Sequence, residues 1–107
     1  MNTTIIVTVP EFAAEYVNRV TGFIPSVHTV WHPGNRRCRI DAALVPSVVR
    51  ELRAQSGRLE DVAERRKAEA EAANNRYWFA EAAKTKYRAQ ALLAIAAKIE
   101  AKALKAK

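Results

Sequence analysis

The stretch best equipped for chemistry runs from Val27 to Ile40, where His28, His32, Arg36, Arg37 and Arg39 surround the sequence His32-Pro33-Gly34-Asn35. A guanidinium is planar and presents paired N–H groups, so clustered arginines suit phosphate oxygens or the edge of guanine. Pro-Gly fits the centre of a type II turn, and the flanking residues predict a β-hairpin of Val27 to Trp31 with Arg36 to Ile40. In that register Trp31/Arg36, Thr29/Cys38 and Val27/Ile40 share an inner face. His28 and Val30 then lie outward, opposite Arg39 and Arg37, with His32 at the turn. Such a ribbon can enter a DNA groove or lie along phosphates. The same charges also suit an ordinary solvated sheet face.

Other chemistries find little support. His28 and His32 stand four residues apart on the expected strand, roughly 13 Å, too far to clasp one metal ion. Cys38 is the sole cysteine. It faces away from the histidines, apolar neighbours would raise its pKa, and a lone thiol implies no disulfide framework and a reducing, cytoplasmic setting. Glu60, Asp61, Glu64, Glu69 and Glu71 form a solvated helix face with no positioned base beside them. The expectation is therefore a protein with no enzymatic activity, no cofactor and no metal. Met1 to Val9 lacks the pattern of a signal peptide, and no run of about 18 apolar residues predicts a membrane span.

A second cationic group lies near the end of the chain. Residues 84 to 107 hold Lys84, Lys86, Arg88, Lys98, Lys102, Lys105 and Lys107 against Glu100 alone, whereas residues 58 to 83 hold five basic and six acidic side chains. Acid early and base late complements a helix dipole. The formal net charge of +7 suits a polyanion, DNA or RNA, or an acidic protein.

The element that must carry these lysines is long. From Arg58 to Leu104 there is no Gly or Pro, and Ala, Glu, Lys, Arg and Leu dominate. At 1.5 Å per residue the stretch predicts a rod of about 70 Å. Trp78, Ala82, Thr85, Ala89, Leu92, Ala96, Ile99 and Ala103 recur at alternating spacings of four and three, a heptad seam. Upstream, Leu59, Ala63, Arg66, Ala70, Ala73, Tyr77 and Ala80 make a weaker stripe in another phase. Tyr77, Trp78 and Phe79 point to three sides of a helix, and with Leu92, Ile95 and Ile99 they form the candidate protein interface. Asn74-Asn75 is the sole candidate break. One continuous helix is the expectation, with a helical hairpin turning there as the alternative. A head of under 60 residues cannot bury such a rod, which predicts a homo-oligomer through the C-terminal helix, antiparallel by charge.

The head reads as strand, helix, strand, strand, helix. Thr3 to Val9 alternates as a strand, and Pro10 starts a helix that stops at Thr21-Gly22. Pro46 starts a second, with Val45, Val48, Val49 and Leu52 as its stripe up to Ser56-Gly57. The expected fold class is α+β, a β-α-β-β-α head with a three-stranded sheet over residues 1–57 and a long helix over 58–107. The expected function is nucleic-acid binding through the basic hairpin and the lysine-rich helix end. The alternative is a protein-interaction module, such as a phage-type accessory, inhibitor or assembly protein docking through the long helix.

Overall fold

The computed structural model describes residues 3–22 and 35–105. Strand β1 (Thr4–Pro10) leads directly into α1 (Glu11–Thr21). Strand β2 (Asn35–Asp41) and a short 3-10 turn (Ala42–Leu44) precede α2 (Val45–Ala73) and α3 (Arg76–Lys105).

Alternation in β1 does what it predicts. Ile5, Val7 and Val9 are buried, while Thr4, Ile6 and Thr8 are exposed. Pro10, with its fixed φ and missing N–H, sits at the N-cap of α1. That helix ends at Gly22, whose φ of 77° lies in the left-handed region and whose N–H donates to the Asn18 carbonyl at 2.9 Å. Its buried face is Ala13, Ala14 and Val17.

β2 pairs antiparallel with β1, setting Ile5 against Ile40, Val7 against Cys38 and Val9 against Arg36 on the inner face. The expected three-stranded sheet is thus corrected to two strands among the described residues. Val27 to Trp31, the expected partner of β2, lies outside those residues, as do His28 and His32. Among the described residues the cross-strand partner of the arginine segment is the first strand.

The expected continuous rod is also corrected, to the helical hairpin that is its alternative. The chain turns back at Asn74-Asn75, and α2 and α3 form an antiparallel hairpin. Asn74 adopts φ 50°, ψ 47°, and its N–H donates to the carbonyls of Ala70 and Glu71. Asparagine tolerates this left-handed conformation better than most residues. The Asn75 side-chain oxygen then accepts from the N–H groups of Tyr77 at 3.0 Å and Trp78 at 3.3 Å, capping α3.

The seams explain why the chain folds here. In α2, Val45, Val49, Leu52, Ser56, Ala63 and Ala70 are buried at heptad positions, and Leu59 packs partly buried among them. In α3 the buried residues are Ala82, Thr85, Ala89, Leu92, Ala96 and Ile99, six of the eight seam positions read from the sequence, while Trp78 is exposed and Ala103 partly buried. A straight rod would leave both seams in water. The turn lays one on the other within one chain. Gly57 does not stop α2, so the expected boundary at residue 57 falls inside a helix. Helix interiors tolerate a glycine at about 1 kcal/mol relative to alanine, which the packed seam on either side outweighs.

Ser56 Oγ donates to the Ala89 carbonyl oxygen at 2.6 Å across the seam, fully buried. At the base of the hairpin, Leu92, Ala96 and Ile99 join Ile5, Val7, Cys38, Ile40 and Leu52 in a single core. The head and the hairpin therefore share one hydrophobic interior, and the molecule measures 56 × 31 × 19 Å.

Two changes test this packing. Ala89→Leu should overpack the seam and cost about 1–3 kcal/mol in chemical denaturation. Asn75→Ala should cost about 1 kcal/mol by removing the cap. Both are read by helical circular dichroism against urea.

Candidate functional site

Because side chains alternate along β2, Arg37 and Arg39 project from the outer face of the sheet while Cys38 and Ile40 point into the core. Across the ladder, Arg39 pairs with Ile6 and Arg37 with Thr8. The Ala42 N–H donates to the Thr3 carbonyl at 2.8 Å. In an antiparallel ladder the hydrogen-bonded pairs alternate, so the peptide groups of Thr4, Ile6 and Thr8 turn away from β2. The ammonium of Lys102 on α3 donates to the carbonyl oxygen of Ile6. Ile6, 39% exposed, is thereby flanked by Arg39 on one side and Lys102 on the other.

Among the described residues no ion pair engages Arg37, Arg39 or Lys102. Lys98 lies one helical turn before Lys102 on α3 and is exposed. Two carboxylates stand two residues from this face in sequence: Asp41 beside Arg39, which accepts from the Ala43 N–H at 3.2 Å, and Glu100 between Lys98 and Lys102, which is held by Arg53 at 3.0 Å. The surface of Arg37, Arg39, Lys98 and Lys102 is therefore cationic and largely uncompensated.

Other expected contacts fall elsewhere. Arg36 lies on the inner side of β2, and its guanidinium is held by Glu11 at 3.0 Å, with Nε buried and unpartnered. Lys84 pairs with Glu81 at 3.5 Å, and Lys86 lines a groove with Glu64, Glu71 and Phe79. Arg88 stacks over Phe12, its guanidinium carbon 5.8 Å from the ring centre. Lys84 and Lys102 stand 18 residues apart on α3, about 27 Å along the axis. The cations expected to act together thus divide into a group at the sheet and a group midway up the hairpin.

The expected protein interface divides as well. Leu92 and Ile99 are fully buried in the chain's own core, and Ile95 is partly buried against it. The aromatics gather at the hairpin tip. Tyr77 and Trp78 are exposed and meet edge to face, with ring centres 5.3 Å apart and planes at 76°. Phe79 points to the opposite side of the helix pair, into the groove beside Ala63, Ala82 and Ala83.

The Lys102 contact has no signal in the sequence, since it joins residues 96 apart. Cys38 lies buried in the core, where burial pushes its thiol pKa up and nearby Arg36 partly opposes that. Among the described residues no three His, Cys, Asp or Glu side chains come together in a way that could hold a metal ion. Nor is any described helix long and apolar enough to cross a membrane. No protein-family model matches the chain, and neither a curated protein nor a solved structure is significantly similar to it. The chain's own geometry must carry the reading.

A raised thiol pKa has a defined sign. The folded state keeps Cys38 protonated where the unfolded chain would ionise it, so this contribution is lost as pH rises above about 8.5, the usual thiol value. Stability should fall over that alkaline range more steeply in the native sequence than in Cys38→Ala, as paired urea titrations would read.

Proposed function

We propose that this protein binds nucleic acid without catalysis, holding the phosphate backbone on the outer face of its sheet. The observation that supports this reading is the row Arg39–Ile6–Lys102, with Arg37 two residues along the same face and, among the described residues, no carboxylate paired to any of the three cations. Alternate residues on a strand put Arg37 and Arg39 roughly 7 Å apart, so both guanidiniums can meet one stretch of backbone. Contacts of this kind release counterions and carry little sequence information. Lys98 extends the surface along α3, and Ile6 offers an apolar contact between the charges. The second reading is a protein partner at the hairpin tip, favoured by the exposure of Tyr77 and Trp78.

Arg37→Glu combined with Arg39→Glu should weaken binding to a generic duplex. The slope of log affinity against log salt should fall by about 2, one unit for each phosphate no longer neutralised. Lys84→Ala with Lys86→Ala should leave that slope unchanged. Fluorescence anisotropy over a salt series reads both. If the native protein ignores the duplex even at low salt, the proposal fails, and Trp78→Ala in partner capture tests the tip instead.

A further inference from the structure

The side of α3 turned away from α2 is exposed and yet carries no charge along most of its length. From Ala80 to Leu104 every residue at the alternating spacings of three and four is exposed, and each is alanine except Tyr87, Gln90 and Leu104. At 100° per residue these positions form one band about 120° wide. Nine charged residues stand on α3; Lys86 and Lys98 fall at the two edges of the band, Arg76 and Lys105 close its ends, and the other five lie outside it. A solvated helix face is normally where the charges gather. Here they are displaced from it. Tyr87 is 70% exposed, Leu104 69% and Leu93, on the flank of the band, 47%. A face of this composition marks an interaction surface, and its lack of charge calls for a partner face equally free of charge.

We propose that the band pairs with the same band of a second copy, antiparallel, about a two-fold axis at the level of Leu92. In that register Ala80 meets Leu104 of the second copy, Ala83 meets Ala101, Tyr87 meets Ala97 and Gln90 meets Ala94. Each larger side chain therefore faces an alanine, and each occurs twice by symmetry. The alternating spacing supplies the layers that knobs-into-holes packing requires, and the alanines let the two backbones approach closely. Self-complementarity under a two-fold is what an isologous interface demands and what an unrelated partner would not impose.

The flanks fit the same register. On one side Leu93 comes beside Leu93 of the second copy at the axis, with Lys86 beside Glu100. On the other side Ala91 comes beside its own counterpart, with the charged Lys84 and Lys98 at the rim, where long side chains reach water. The head contacts α3 from this second side, through Arg88 over Phe12 and Lys102 on Ile6. Antiparallel pairing offsets the two heads along the dimer, whereas a parallel pair would set two cationic heads level with one another. The dimer stands whether or not the sheet face binds nucleic acid.

Size-exclusion chromatography with light scattering reads the first test. The native chain should run at twice its 11.9 kDa mass in the micromolar range. Ala94→Lys sets like charges near the axis on both copies and should halve that mass. Because residue 94 is exposed and lysine is a good helix former, the helical spectrum and melting midpoint of the monomer should hold. Register is read by cross-linking in a Cys38→Ala background, mixing Ala83→Cys chains with Ala101→Cys chains under oxidation. Mixed disulfides should form, with little coupling of Ala83→Cys chains to one another, since those positions would stand about 27 Å apart along the axis. A native chain that stays monomeric at high micromolar concentration overturns the proposal. So does a dimer that survives Ala94→Lys, or Ala83→Cys chains that couple mainly to themselves.

Discussion

Small side chains let two helix backbones approach, and α2 meets α3 largely through Ala63, Ala70, Ala82, Ala89 and Ala96. Each alanine removes little apolar surface from water, so the seam gains its strength from length and close dispersion contact rather than from large side chains. Such a seam has few features to fix its own register. Ser56 supplies one, because its hydroxyl is fully buried and reaches the Ala89 carbonyl. Sliding either helix would break that bond, a net contribution of about 1 kcal/mol, although the hydroxyl could then turn to a carbonyl of its own helix. Larger residues enter only near the base, at Leu52, Leu92 and Ile99, where the seam widens into the core of the head.

The sheet depends on that seam. A two-stranded ribbon is marginal alone in water and needs a helix beneath it. Here the hairpin base supplies the helical layer, with Ile99 and Ala96 in one core with Ile5 and Val7. Lys102 adds a polar tie by taking an outward-facing carbonyl of β1, which also blunts that edge against pairing with foreign strands. The basic face is thus supported by apolar contacts beneath and one charged contact at its side.

Much of this was legible in the sequence. Alternation set Arg37 and Arg39 outward from Cys38 and Ile40, and the 4-3 spacing of α3 picked out the residues that are buried. The spacing alone could not say which helix would cover them, because an antiparallel partner in the same chain obeys the same period as one in another. Asn74 decided that, and an Asn-Asn pair is a mild enough helix breaker that the sequence offers the turn there only as the alternative to a continuous helix. Gly57 misled in the opposite direction. Val45, Val49, Leu52 and Ser56 run in phase with Leu59, Ala63 and Ala70, so the heptad continues through a glycine that local propensity reads as a stop. The junction of Ile6 with Lys102 belongs to neither scale, since it exists only once the whole fold has closed.

That junction also orders the folding of the chain. Helices α2 and α3 meet through residues near in sequence around Asn74, where loop closure costs least, while β1 waits for partners many tens of residues further along. On the ribosome β1 is made before either helix of the hairpin, and it has no complete core until the Ile99 turn has emerged. Until then its alternating Ile and Val residues lack the share of their cover that α3 supplies. The interval in which this chain is open to misassociation is therefore set by α3 rather than by β1.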